Sequence, residues 1–137
     1  MRFTIYQESR IGKRRSNQDR IAHCYSRDAL LMIVADGMGG HLHGEVAAQI
    51  AVQRMTEQFQ REARPTLPDP PLFLSRALDS AHHAILDDAL DRQFPEAPRT
   101  TLVACVVQRG AAFWAHAGDS RLYLLRRGHL VTRTRDH

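Results

Sequence analysis

The sequence predicts an α+β fold in a single domain. Three features carry that expectation. Strand-like segments fill both ends of the chain, and two segments of helical period lie together between them. Strand and helix never alternate as a parallel βαβ sheet requires. With 137 residues the chain has room for one core and none for a second, so residues 1–137 are read as one domain.

Each element follows from local pattern. Residues 4–7 read as a short first strand and residues 21–25 as the next, with a polar, basic loop between them. Arg27-Asp28 turns the chain into residues 29–35, a continuous apolar run suited to a strand buried on both faces. That run stops at Asp36-Gly37-Met38-Gly39-Gly40, where the glycines point to open chain. From Gly44 to about Arg61 the period becomes helical, with Ala47, Ala51, Met55 and Phe59 recurring and Val46 and Ile50 beside them. Pro65, Pro68, Pro70 and Pro71 end that helix. Asp69-Pro70 is also a good N-cap and first-turn pair for a second one. Its apolar side carries Leu74, Leu78, Ala81, Ile85 and Ala89. Residues 100–107 and 111–117 then read as strands around a turn at Gln108-Arg109-Gly110. After a turn at Gly118-Asp119-Ser120, residues 122–125 and 130–132 form a hairpin around Arg126-Arg127-Gly128-His129.

Bulk composition narrows the function classes. Hydrophobic residues at 43% and charged residues at 25% are ordinary globular values. The net charge of +4 comes from scattered arginines, a balance suited to phosphorylated or acidic partners and too mild to argue for nucleic acid. The first residues hold no apolar run like a signal peptide, and no stretch approaches the ~18 apolar residues of a membrane span. Cys24 and Cys105 lack metal-ligand spacing and read as small core residues of a cytoplasmic protein.

The residues that could carry chemistry lie at strand ends. Asp36 follows a buried strand, and Gly37 beside it leaves a backbone carbonyl bare. Together they offer the oxygen donors that Mg²⁺ and Mn²⁺ prefer. A Gly-rich turn with Asp36 capping the following helix is the competing reading of the same five residues. Asp19 and Asp119 tip the balance, because three carboxylates at one end of a sheet repel one another unless a cation sits between them. Arg14, in the same loop as Asp19, could hold a phosphate oxygen pair with two hydrogen bonds; a solvated surface arginine between Lys13 and Arg15 is the alternative. His41 and His43 follow the glycines and could act as general acid or metal ligand, or simply sit in a solvated loop. His82 and His83 belong to the surface of the second helix. No Gly-Lys-Ser/Thr follows the glycines, which excludes a P-loop.

These pieces, in this order, resemble the bacterial branch of the PP2C (PPM) protein phosphatases. The matching segments are Arg14-Arg15-Ser16-Asn17-Gln18-Asp19, Val34-Ala35-Asp36-Gly37-Met38-Gly39-Gly40-His41, Gly44-Glu45-Val46-Ala47, Thr100-Thr101-Leu102-Val103 and Gly118-Asp119-Ser120-Arg121-Leu122-Tyr123. The resemblance implies two packed antiparallel sheets flanked by helices, incomplete at the C-terminus. It implies hydrolysis of phosphoserine and phosphothreonine by a water activated between two Mn²⁺ or Mg²⁺ ions, with a third ion held more loosely. Asp36 would bridge two metals, Gly37 would offer its carbonyl, and Asp19 would hold a metal-bound water. Arg14 would bind the substrate phosphate, and Asp119 the third ion. A phosphorylated protein, opposed to a Ser/Thr kinase, would be the substrate.

Two departures stand out. Met38 occupies the position where eukaryotic members carry a histidine proposed as general acid. The Ser-Asp-Gly and Asp-Asn motifs that supply two further metal-binding aspartates are missing from the sequence, and the carboxylate that remains after Asp119 is Asp136, in a different motif. A non-catalytic pseudophosphatase or phosphoprotein-binding module is therefore the rival reading. Strand edges and apolar surface, including residues 103–107 and 122–125, would be left open and favour self-association.

Overall fold

The structure, a computed structural model, describes residues 1–12, 17–38 and 43–136. Strands β1 (Asp19–Tyr25), β2 (Ala29–Met38), β3 (Arg99–Gln108) and β4 (Ala111–Ala117) form one antiparallel sheet in the order β1-β2-β3-β4. Helices α1 (Gly44–Glu62) and α2 (Pro70–Asp91) lie between β2 and β3 in sequence. Strands β5 (Tyr123–Arg126) and β6 (His129–Arg133) pair as a separate antiparallel hairpin.

Alternation along the strands sorts side chains onto two faces. Leu31, Ile33 and Ala35 of β2, with Leu102, Ala104 and Val106 of β3, pack into one core with both helices. Met55 and Phe59 of α1 and Phe73 and Leu74 of α2 fill that core from the other side. Fully burying side chains of this size contributes about 1.5–3 kcal/mol each. The second helix starts as its sequence dictates: Asp69 Oδ1 accepts a hydrogen bond from the Leu72 amide at 3.0 Å, with Pro70 in the first turn. The buried Gln108 amide pins the linker between the helices to the end of β3, accepting from Leu67 N at 2.9 Å and donating to Leu67 O at 3.0 Å.

The opposite face of the sheet carries Ile21, Met32, Val34, Val103, Cys105 and Trp114. Together with residues 4–8 and 122–124 it lines an open cleft of about 520 Å³. The layers are thus helices, a four-stranded sheet, and a two-stranded second sheet; among the described residues no helix flanks that hairpin.

Three local expectations change. Residues 4–7 join no ladder; they lie along the cleft lined by the sheet and residues 121–124. The β2 ladder does not stop at Asp36 but continues to Met38, with Gly37 opposite Thr100 and Met38 opposite Arg99. Residues 103–106 are at most 5% exposed, because β3 is an interior strand between β2 and β4. Of residues 122–125, Tyr123 and Leu125 are exposed as expected, and Val34, Trp114, Leu130 and Val131 add to the open apolar surface.

Candidate metal and phosphate site

Asp19 and Asp36 stand directly opposite each other in the β1–β2 register. Strand alternation places Asp36 with Met32 and Val34, on the face turned away from the helices. Opposed side chains on neighbouring strands lie about 4.5–5.5 Å apart at Cβ, and like charges there are destabilising. The Oδ1 atoms of both aspartates are buried, and that of Asp19 accepts no hydrogen bond among the described residues. A buried carboxylate oxygen lacking a donor, facing a second carboxylate, fits a hard divalent cation. Asp19 is itself held in place: its amide donates to Asn17 Oδ1 at 3.0 Å, and Arg20 Nη1 donates to its carbonyl at 2.7 Å.

Gly37 explains why the strand that carries Asp36 can meet helix α1. A Cβ at this position would stand 2.3 Å from the Gly44 carbonyl oxygen and 2.7 Å from that of Gln18. The Gly37 amide also donates to Gln18 O at 3.1 Å. Gly44 is the reciprocal contact, since a Cβ there would meet Met38 N and O at 2.6 Å. The two glycines let the start of α1 press against the end of β2, one residue from Asp36.

Asp119 is exposed, on the turn after β4. Its neighbours tie that turn to the strand beside Asp36. Thr101 pairs with Asp36 across β2–β3, its hydroxyl meets Ser120 Oγ at 2.7 Å, and Gly118 lies against its side chain. Among the described residues no three metal-type side chains converge. Thus Asp19 and Asp36 meet, and Asp119 belongs to a turn docked on the next strand. Arg14, Gly39, Gly40 and His41 fall outside the described residues. His43, in the left-handed region (φ 63) at the start of α1, stacks on Phe94 with ring centroids 4.4 Å apart and has Nδ1 3.8 Å from Glu45 Oε1. His82 and His83 are exposed on α2. Burial pushes the Cys24 and Cys105 thiols up to about 11, so both stay protonated and offer no thiolate to a nucleophilic or soft-metal chemistry.

Sequence reasoning gave no role to Thr101, Arg121 or Asp136. Thr101 shares a face with Val103 and Cys105 by alternation, a signal available in the sequence, but its place opposite Asp36 requires the register. Arg121 donates from Nε and Nη2 to the two carboxylate oxygens of Asp136, at 2.9 and 2.8 Å. Those hydrogen bonds hold the Asp136 carboxyl below its ordinary range and raise the Arg121 guanidinium, while Arg121 and Arg133 lower the Tyr123 phenol.

If like-charge repulsion governs the opposed pair, Asp19→Asn stabilises the metal-free chain by roughly 0.2–1 kcal/mol. The same change removes the gain in stability on adding Mn²⁺. Urea unfolding with and without Mn²⁺ measures both effects, and a less stable metal-free variant would contradict the repulsion.

The chain is similar to known proteins over most of its length. The family model described as protein phosphatase 2C matches residues 6–136. The serine/threonine phosphatase stp of Listeria welshimeri is 33% identical over 108 residues, covering 78% of this chain and 43% of that protein. The crystal structure of the Mycobacterium tuberculosis serine/threonine phosphatase PstP/Ppp superposes with a TM-score of 0.75 at 33% identity, over 90% of this chain and 49% of that one. The PstP catalytic domain in complex with two manganese ions gives a TM-score of 0.71 at 31% identity, over 87% of this chain and 50% of that one. The chain therefore spans about half the length of the relatives it matches.

Proposed function

Because this chain belongs to the protein phosphatase 2C family, in its bacterial branch, we infer that it carries the phosphate-binding residue and part of the metal site of a phosphoserine/phosphothreonine protein phosphatase. The observation that supports this most is the directly opposed Asp19–Asp36 pair with its buried carboxylate oxygens. Asp36 and the Gly37 carbonyl would hold two Mn²⁺ or Mg²⁺ ions, Asp19 would act through a bound water, and Asp119 would hold a third ion. Bound there, the ions would lower the pKa of a water and neutralise charge on the phosphoryl oxygens. Arg14 would orient the substrate phosphate through a bidentate contact. Thr101 lends the site rigidity, its hydroxyl donating to the Asp36 carbonyl at 3.5 Å while also bonding Ser120. The substrate is a phosphorylated protein, opposed to a Ser/Thr kinase, in the cytoplasm.

One observation favours the rival, non-catalytic reading for these residues on their own: no third carboxylate or imidazole joins Asp19 and Asp36 among the described residues. Divalent cations of this size take about six oxygen donors, and Mg²⁺ tolerates poor geometry badly. The 137-residue chain is expected to bind Mn²⁺ with a Kd well above micromolar and to leave a generic aryl phosphate unhydrolysed. Its exposed Leu125, Leu130 and Trp114 favour association with another copy. Extension through Ser-Asp-Gly and Asp-Asn motifs restores tight binding, turnover and a monomer. Calorimetry, a phosphatase assay and light scattering on both lengths check this. Two tight Mn²⁺ sites and full turnover by a monomer of 137 residues would overturn it.

A further inference from the structure

The turn that carries Asp119 is fastened from two sides. On the inner side Gly118, at φ 99, lies so close to Thr101 that a Cβ would stand 2.6 Å from its Cγ2, and Ser120 bonds the Thr101 hydroxyl. On the outer side residues 134–136 are laced across the segment that contains the turn. Thr134 N donates to Leu122 O at 3.1 Å, and Leu122 N donates to Thr134 Oγ1 at 3.0 Å. His116 Nε2 meets Arg135 O at 2.7 Å, on the other flank of Asp119. The Arg121–Asp136 fork, two residues beyond Asp119, completes the lacing.

We propose that Arg121 and Asp136 are positioning residues, whose two-pronged ion pair sets the 118–120 turn so that the Asp119 carboxylate reaches a divalent cation beside Asp36. The proposal rests on the metal reading above. Both partners are about two-fifths exposed, and an ion pair so exposed adds little to stability. What it does add is geometry, because a planar guanidinium matched to both carboxylate oxygens fixes orientation as a lysine contact does not. Asp136 has both oxygens engaged by Arg121, so it serves as Arg121's partner and not as a metal ligand. Asp119 is exposed and follows a glycine in the left-handed region, so without an outer tie its carboxylate samples solvent.

Mn²⁺ titration of the ¹⁵N-labelled 137-residue chain tests this, through paramagnetic broadening of the Asp19, Asp36 and Asp119 amides. In the unsubstituted chain all three are expected to broaden. In Arg121→Lys and in Asp136→Asn, half-broadening at Asp119 is expected to need about 10-fold more Mn²⁺, the usual effect of losing a group that orients a ligand. Asp19 and Asp36 are expected to keep their response, and Arg27→Lys, which loosens an ion pair elsewhere, to change none of the three. Unchanged broadening at Asp119 in both variants overturns the positioning role alone. Equal weakening at all three amides also overturns it, since the pair then acts only on stability. Absence of broadening at Asp19 and Asp36 in the unsubstituted chain overturns the metal reading and the positioning role with it.

Discussion

Gly37→Ala is expected to destabilise the chain by about 3 kcal/mol or more, at the upper end for overpacking a well-filled contact. In most strand positions the change would help, since alanine loses less conformational freedom on folding. Here the added carbon meets the Gly44 carbonyl oxygen at 2.3 Å, its carbon at 2.5 Å and the Gln18 carbonyl oxygen at 2.7 Å. All three atoms are backbone, so no side chain can swing aside. Relief requires prising the first turn of α1 off β2, which disturbs the strand end that carries Asp36. Gly110→Ala is the control: it has open space around it and a φ of 75, so it should lose only about 1–2 kcal/mol of backbone strain. Urea unfolding of both variants decides the matter. If Gly37→Ala lost no more than Gly110→Ala, the close approach of strand and helix would not be a constraint.

Phe59→Ala is the second large effect, with an expected loss of about 3–5 kcal/mol. Phe59 is 1% exposed at the middle of the core and meets Phe73 of α2 edge-on, with ring centroids 6.0 Å apart. The substitution removes that aromatic contact and leaves a void that the surrounding α1, α2 and sheet residues cannot fill without moving. Against a typical total stability of about 5–15 kcal/mol, a loss of this size leaves the chain marginal at body temperature. Phe59→Leu should retain most of the stability, because it stays apolar and its volume is closer, although it too loses the edge-on contact with Phe73. Thermal and urea unfolding of the two variants measure the difference; a loss below about 1 kcal/mol for Phe59→Ala would mean the site collapses freely.

What the sequence made legible was local. The i+4 recurrence of Ala47, Ala51, Met55 and Phe59 needs no tertiary knowledge, and all four are buried. Asp69 and Pro70 start α2 because cap chemistry involves neighbours in the chain. The Asp36 and Asp19 strand ends could be guessed, but their direct opposition is a matter of register, which a one-residue slip would have destroyed. Gly37 was misread because glycine in sequence signals open chain, whereas here its use is to leave room for Gly44 while the ladder continues. The Arg121–Asp136 fork joins exposed residues fifteen positions apart at the open end of the β5–β6 hairpin; the hairpin is legible in the sequence, but the pairing depends on its register, irregularity at Leu124–Leu125 included. Residues 4–7 have strand composition, yet composition does not decide pairing, and they join no ladder.

The chain order of the sheet also sets the order of its assembly. β1 and β2 are joined by a tight turn, where Ser26 N donates to Ala29 O at 2.9 Å, so this hairpin needs little loop closure. Asp19 and Asp36 pair at its open end, farthest from that turn, and are the last of its rungs to zip. β2 and β3 are different, because residues 39–98, with both helices, must be gathered before they can meet. Closing so long a segment costs roughly 3–4 kcal/mol of chain entropy in the flexible limit. Helix pairing between α1 and α2 shortens that search, so the sheet's central seam closes late. The two aspartates thus come face to face on a hairpin still half in water, where high dielectric softens their repulsion, before β3 docks beside Asp36.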